Sequence, residues 1–202
     1  TLDLDYVKGD VWSSIELLWD FACVMYSTHT HAPDNQRLRL VIPLSRPVLP
    51  DEYQAVSRMI AYDLGIDQFD DTTYQPHRLM YWPSTSADGE YVFKVQDESW
   101  LNPDEILDRY TFGWQDVSYW PESSRARAHL DNQLKKQEDP LEKKGVIGAF
   151  CRTYSISEAI AEFLNDIYIP GADETRYTYA EGSTTRGVVV YEDKFSYSHH
   201  GT

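Results

Sequence analysis

Apolar and polar residues follow two different spacings along the chain, and each spacing predicts a different kind of element. Residues 2–7 alternate between apolar and acidic side chains, and residues 21–26 form a continuous apolar run; both patterns are typical of strands. Apolar positions three or four residues apart predict helices over 10–20 and 51–64. Because strands and helices follow each other, we expect an α/β (α+β) fold in which helices flank a mixed or antiparallel sheet.

Further elements complete the first part of the chain. Strands are predicted over 38–44, 78–82 and 91–95, and Asp88-Gly89 predicts a hairpin turn before the last of them. Another helix is expected to begin after Asn102, because a capping Asn is followed by Pro at the first helical position. These elements would form a single sheet with helices packed against it.

The character of the chain changes after residue 121. Residues 122–144 carry many charges of both signs, which is typical of a charged linker helix and less often of a nucleic-acid contact. We therefore expect a core domain over 1–121 and a small C-terminal appendage over 145–202. The appendage is predicted to contain a helical pair and two or three short strands, over residues 145–154, 155–168 and 176–198.

Charge and cysteine content exclude several classes of protein. The 202 residues include 33 acidic and 18 basic ones, which gives a formal net charge of −15. Sequence-independent affinity for DNA comes largely from Lys and Arg, so a histone-like or generally basic coat protein is not expected. Two cysteines, Cys23 and Cys151, are too few for a cysteine-based zinc site or a disulfide framework. No apolar run approaches the ~18 residues that span a bilayer, so we expect no membrane partner.

Acidic side chains at two places could form a metal site. Asp3 and Asp5 lie two residues apart on a predicted strand and therefore point to the same face, and Asp70-Asp71 start a segment that returns to the sheet. Like charges this close repel, and a hard divalent ion such as Mg²⁺ or Mn²⁺ would neutralise them. Taken alone, each pair is more often a solvated strand edge or loop. A third carboxylate reaching Asp3 and Asp5 would complete a site for phosphoryl transfer.

Candidate anion-binding groups lie between these acidic pairs. Ser27 and His29 follow the apolar run, and their hydroxyl and imidazole groups could bind phosphate oxygens, although a polar loop cap is about as common. Arg37 and Arg39 share one face at the start of the next strand. Two guanidinium groups there indicate an anion, of which a triphosphate is the obvious example.

Three blocks of sequence, taken in order, resemble the primase-polymerase (PrimPol-like) domain of archaeo-eukaryotic primases. They are Leu-Asp-Leu-Asp at 2–5, the run over 26–47 and the run over 69–84. The similarity covers residues 1–112 and points to the branch found in phage and mobile-element replication proteins of bacteria, the virulence-associated protein E type. It implies a template-dependent DNA primase or polymerase, a nucleotidyltransferase of the bacterial cytoplasm.

The resemblance also implies roles for individual residues. The catalytic residues would be Asp3, Asp5 and Asp71, as ligands of Mg²⁺ or Mn²⁺, with Asp70 as the alternative to Asp71. The nucleotide-binding residues would be Ser27, His29, Arg37, Arg39 and Arg78, and His29 and Arg39 compete for the place of the family's motif histidine. Two metal ions would help a 3′-hydroxyl attack the α-phosphate of a nucleoside triphosphate.

The implied partners are nucleoside triphosphates, a single-stranded DNA template and a downstream helicase domain of the same polypeptide. The chain begins without Met and ends in Ser198-His199-His200-Gly201-Thr202, so we expect a fragment whose core is truncated at its N-terminus. Two other functions stay open on the residues alone. One is a non-catalytic module that binds DNA or docks the helicase, and the other is a metal-dependent nuclease.

Overall fold

The chain divides into two structural units, and the computed structural model describes residues 1–126, 128, 132, 138–173 and 175–199. The first unit contains Thr1–Thr111 and Pro121–Ala126, and the second contains Phe112–Trp120 and Arg127–Thr202. Each unit combines helices with an antiparallel sheet, which confirms the predicted α/β class. Among the described residues, none of the helices is both long enough and apolar enough to cross a bilayer.

The first unit is built on a four-stranded antiparallel sheet whose strands lie in the order β1 (Leu2–Leu4), β3 (Leu38–Val41), β2 (Cys23–Ser27) and β4 (Phe93–Gln96). Strand β1 therefore lies at one edge, next to β3, although β2 comes between them in the chain. Two 3₁₀ turns, Ile66–Gln68 and Asp71–Tyr74, follow the second helix. The strands and α-helices are, in chain order, β1 (Leu2–Leu4), α1 (Val11–Leu18), β2 (Cys23–Ser27), β3 (Leu38–Val41), α2 (Pro50–Asp63), β4 (Phe93–Gln96) and α3 (Pro103–Leu107).

One face of this sheet is apolar and lies in the core. Leu2 pairs with Leu40 and Leu4 with Leu38 across β1 and β3, and Met25 faces Leu40 from β2. All five side chains belong to residues that are at most 3% exposed. Because successive side chains of a strand point to opposite faces, the polar residues between these leucines must lie on the other face.

Local contacts fix where the first two helices begin. The carboxylate of Asp10 accepts a main-chain N–H of the first turn of α1, as its sequence position predicts. Helix α2 begins at Pro50, where a missing N–H is harmless, and the side chain of Glu52 accepts the N–H of Leu49 at 2.8 Å. Gly65 follows α2 with a φ of 89°, which other residues adopt only with strain. Both helices could thus be predicted from the sequence.

The predicted strand over 78–82 is wrong, because the structure has no strand there. The N–H of Arg78 closes a turn, and the carbonyl of Tyr81 accepts a hydrogen bond from the side chain of Arg39. Leu79, Tyr81 and Trp82 of this segment are exposed, with Trp82 at 91%, so these three side chains add nothing to the core. Strand β4 consequently pairs with β2 and has no hairpin partner in this segment.

The second unit contains a four-stranded antiparallel sheet whose strands lie in the order β5 (Tyr168–Pro170), β6 (Arg176–Tyr179), β7 (Val188–Tyr191) and β8 (Phe195–Ser198). The helix predicted over 155–168 ends at Phe163, and residues 164–167 form a bend and turn before the next strand begins at Tyr168. Part of the linker helix predicted over 122–144 falls on residues 127, 129–131 and 133–137, which lie outside the described residues. The elements are α4 (Gly145–Thr153), α5 (Ile156–Phe163), β5 (Tyr168–Pro170), β6 (Arg176–Tyr179), β7 (Val188–Tyr191) and β8 (Phe195–Ser198).

A capping box begins α5, as the sequence Ser155-Ile-Ser-Glu158 predicts. The hydroxyl of Ser155 accepts the N–H of Glu158, and the carboxylate of Glu158 accepts the N–H of Ser155 at 2.9 Å. Asp193, in the turn between β7 and β8, adds a third contact by accepting the N–H of Ser157 at 2.8 Å. The helix then buries Ile160 against the sheet of this unit.

Candidate functional site

Two carboxylates and two guanidinium groups lie on the polar face of the first sheet, at the edge formed by β1 and β3. The strand register places Asp3 opposite Arg39, and Asp5 and Arg37 continue the same alternation one residue beyond each strand. We call these four residues the acid–arginine face. Its formal charges cancel, although the chain as a whole is strongly acidic.

The inner pair of this face is almost fully enclosed. Arg39 donates to both carboxylate oxygens of Asp3, from Nε to Oδ1 at 2.5 Å and from Nη2 to Oδ2 at 3.1 Å. The side chains of Asp3 and Arg39 are only 13% and 10% exposed. The remaining Nη1 of Arg39 donates to the carbonyl of Tyr81 at 2.5 Å. Burial acts to lower the pKa of Arg39, but the hydrogen bonds and charge of Asp3 outweigh it and raise that pKa.

The outer pair is more open. Nη1 of Arg37 lies 2.9 Å from Oδ2 of Asp5, and their side chains are 28% and 33% exposed. The main-chain N–H of Arg37 donates to Nδ1 of His31 at 3.1 Å, which ties the start of β3 to the preceding loop. The guanidinium of Arg37 also lies 5.9 Å from the ring centroid of Tyr6.

Asp70 lies beside β1 through a main-chain contact. Its N–H donates to the carbonyl of Asp3 at 2.9 Å, which brings the segment after α2 against the edge strand. Its own carboxylate accepts the N–H of Thr72 at 3.0 Å and the hydroxyl of Thr72 at 2.6 Å. Nη2 of Arg78 lies 3.8 Å from the same carboxylate. Asp70 therefore caps a 3₁₀ turn next to the acid–arginine face.

Asp71 is held by a segment that returns to the first unit at residues 121–126. Its carboxylate accepts the hydroxyl of Ser123 at 2.6 Å and lies 3.7 Å from Nε of Arg125. Arg125 also donates to the carbonyls of Asp67 and Phe69. These contacts tie Asp71 to the returning segment.

Sequence reasoning missed Ser123, Arg125 and Tyr6 as neighbours of the site. The guanidinium of Arg125 lies 4.0 Å from the ring centroid of Tyr6, so that ring contacts the two arginines nearest to it, Arg37 and Arg125. No periodic pattern marks these residues, because Arg125 is separated from Asp71 by more than fifty positions in the chain.

Ser27 lies on the opposite face of the sheet from the acid–arginine face, and His29 lies outside the strands. Ser27 pairs with Leu38 and is fully buried on the core face, where its hydroxyl accepts the N–H of Val92 at 2.9 Å. His29 lies beyond the end of β2, is exposed, and has its Nδ1 3.4 Å from the hydroxyl of Ser84. The residue that β2 places beside Arg39 is Tyr26. The nucleotide-binding roles of Ser27 and His29 stay predictions.

Each of the four candidate acids has an arginine within ion-pair distance. Within the part of the chain that the structure describes, no three Asp, Glu, His or Cys side chains gather as a group that could hold a metal ion. Carboxylate oxygens are nevertheless the ligands that Mg²⁺ and Mn²⁺ prefer, and Asp3 and Asp5 present them on the same side, so the donors fit in kind. The four pairs are Asp3–Arg39, Asp5–Arg37, Asp70–Arg78 and Asp71–Arg125.

Comparison with known proteins gives one finding for the first unit. A protein-family model described as the VapE N-terminal domain matches residues 1–123, which is more than half of the chain. Neither the curated proteins nor the solved structures contain a match to this sequence.

Proposed function

This chain belongs to the VapE N-terminal domain family of phage and mobile-element replication proteins, and on that premise we propose that its first unit is a template-dependent primase-polymerase. The proposed substrates are a nucleoside triphosphate and the 3′-hydroxyl of a strand paired with single-stranded DNA. The proposed site is the acid–arginine face together with Asp70 and Asp71.

One observation carries this proposal. Asp3 and Asp5 alternate along one edge strand, and Arg39 and Arg37 alternate in register along its neighbour, so acids and arginines form two adjacent columns. Guanidinium groups bind phosphate oxygens with two parallel hydrogen bonds, as Arg39 binds the carboxylate of Asp3. A column of anion-binding groups beside a column of carboxylates suits a triphosphate that enters with a cation.

Asp3 and Asp5 are the residues that would hold the divalent ion, with Asp70 or Asp71 as a third ligand. When bound, Mg²⁺ or Mn²⁺ supplies positive charge that stabilises the charge developing on the phosphate oxygens. Arg39 and Arg37 would orient the triphosphate, and Arg78 would add a third guanidinium next to Asp70.

The proposed reaction is the transfer of a nucleotidyl group. The oxygen of the 3′-hydroxyl forms a bond to the α-phosphorus, and the bond from that phosphorus to the bridging oxygen of the β-phosphate breaks. Pyrophosphate leaves with the bond electrons, and the hydroxyl proton passes to solvent. The arginines contribute by fixing the triphosphate in place and by balancing the negative charge that shifts onto the leaving group.

Primer extension on a single-stranded DNA template, with labelled nucleotide and Mg²⁺ or Mn²⁺, tests the proposal. We expect extension by the unaltered chain and a loss of at least about a hundredfold in Asp3→Asn, since an electrostatic contact made in the transition state is worth ~3 kcal/mol. Asp63→Asn is the matched control, because Asp63, the last residue of α2, forms a similar two-bond pair with Arg109. Extension that Asp3→Asn and Asp5→Asn leave intact would contradict the proposed site.

A second candidate function has its own support. All four acids already have arginine neighbours, which is what a domain without catalysis would need to keep carboxylates together. Such a module would bind DNA or dock a downstream helicase domain. Binding to single-stranded DNA that ignores both nucleotide and divalent ion, with no extension under any condition, would favour this alternative. A cytoplasmic location in a bacterial host goes with either function.

A further inference from the structure

Asp3 and Arg39 bind each other through two hydrogen bonds, so a ligand that takes either group must compete with the other. Both carboxylate oxygens of Asp3 accept hydrogen bonds from Nε and Nη2 of Arg39. The third nitrogen of the guanidinium, Nη1, donates to the carbonyl of Tyr81. The acids that would hold a cation are therefore bound to the same arginines that would hold a triphosphate. Each ligand would have to displace one half of an existing ion pair.

We infer that the acid–arginine face admits a divalent cation and a triphosphate only together, through an exchange of ion-pair partners. In the free protein, the arginines form ion pairs with the acids. In the loaded protein, the acids face the cation and the arginines face the phosphates. This inference rests on the proposed function, because it concerns the two ligands of that site.

Burial explains why neither ligand enters well alone. A cation that took Asp3 alone would leave the guanidinium of Arg39, which is only 10% exposed, without an anionic partner. An unpaired charge at such a position is strongly unfavourable. A triphosphate that took Arg39 alone would leave Asp3 unpaired and would place its own negative charges beside Asp3 and Asp5. Only the joint exchange keeps every charge matched.

The two pairs differ in how strongly they should couple the ligands. The outer pair of Asp5 and Arg37 is about a third exposed and shows one close contact, so water can solvate either partner after separation. The inner pair has two bonds and little contact with water. We therefore assign most of the coupling to Asp3 and Arg39. By thermodynamic linkage, the cation must raise the affinity for the triphosphate by the same factor as the triphosphate raises the affinity for the cation.

A calorimetric titration of the whole chain with dATP measures this coupling directly. One series contains Mg²⁺ and the other contains EDTA. For the unaltered chain we expect binding with Mg²⁺ that weakens at least about tenfold in EDTA. Asp3→Asn removes the competing negative charge but keeps an oxygen that can accept from Arg39. It should therefore bind dATP in EDTA at least about tenfold more tightly than the unaltered chain, in line with a hydrogen bond to a charged group.

Three further variants control the comparison. Adding Arg39→Gln to Asp3→Asn should abolish the gain, because the guanidinium that the first change frees is then absent. Asp5→Asn should gain less than Asp3→Asn, and it serves as the deciding variant if Asp3→Asn fails to fold. Asp63→Asn breaks the similar ion pair between Asp63, at the end of α2, and Arg109, and it should leave both titrations unchanged.

The outcomes separate the inference from the function on which it rests. If the unaltered chain fails to bind dATP with Mg²⁺, the proposed function falls and the inference falls with it. If the chain binds dATP with Mg²⁺ but equally well in EDTA, or if neither Asp3→Asn nor Asp5→Asn gains affinity in EDTA, the exchange is wrong while the function stands.

Discussion

Removing the guanidinium of Arg39 while leaving its partner in place should destabilise the first unit severely. In Arg39→Gln, the carboxylate of Asp3, whose side chain is 13% exposed in the unaltered chain, loses both hydrogen bonds from the arginine. Breaking one side of a buried pair costs about 3–5 kcal/mol, and the residual exposure of Asp3 places the expected loss near the lower limit, ~3 kcal/mol. The carbonyl of Tyr81 loses its donor as well.

Urea unfolding is the suitable assay, because urea does not screen charges. With a slope of ~2 kcal/mol per M, a loss of ~3 kcal/mol lowers the midpoint by ~1.5 M. Hydrogen exchange of the β3 amides, measured by mass spectrometry, assigns the loss to the first unit and not to the second.

A matched control makes the result interpretable. Arg109→Gln breaks a similar two-bond pair with Asp63, but there the arginine side chain is 40% exposed. An exposed pair contributes ~0–1 kcal/mol, so the midpoint should move by at most ~0.5 M. Combining Arg39→Gln with Asp3→Asn should recover part of the loss, because the unpaired charge is then gone. Equal losses from Arg39→Gln and Arg109→Gln would refute the reasoning.

Three other predictions follow from single contacts. Ser27→Ala should lower the free energy of unfolding by about 1–2 kcal/mol in urea melts, since it leaves a main-chain N–H on the core face without its acceptor. The hydrogen bonds and charge of Arg46 hold the pKa of Glu52 below its usual 4.5. The free energy of unfolding of the unaltered chain should therefore exceed that of Glu52→Gln by the full amount at pH 7, and this difference should disappear as the pH falls below 4.5 through the folded-state pKa. A difference that persists in acid would contradict this. Iodoacetamide at pH 8 should modify Cys151 well before Cys23, because burial raises the pKa of the Cys23 thiol to about 11; mass spectrometry of the labelled peptides gives the order.

The parts of the site that sequence could predict are those that depend on neighbours in the chain. Charged and apolar residues alternate in Asp3-Leu4-Asp5 and in Arg37-Leu38-Arg39. A strand places alternate residues on opposite faces of the sheet, whichever strand it pairs with. The structure accordingly buries Leu4 and Leu38 and sends the charges to the other side. The same locality made the caps at Asp10 and Ser155 predictable, because a cap contacts residues three positions away.

The parts that sequence could not predict depend on contacts between distant segments. The arginine that faces Asp3 is fixed by the placement of β1 beside β3 and not beside β2, which no local pattern encodes. The orientation of Ser27 depends on where β2 begins to pair, since a shift of one residue would have turned its hydroxyl to the polar face. Arg125 reaches Asp71 only because residues 121–126 return to the first unit.

Acidic pairs in a sequence are often interpreted as cation sites and arginine pairs as anion sites, and on this face the two interpretations compete for the same atoms. The acids of β1 and the arginines of β3 neutralise each other across adjacent strands, so the face carries no net charge to attract either ion by itself. Long-range attraction therefore cannot select the ligand, and selection must come from how well a ligand replaces both halves of each pair. A metal–triphosphate complex carries both charges in one unit and at one separation. A bare cation or a bare phosphate carries only one of them, and this difference in charge pattern is what the titrations with and without divalent ion are designed to measure.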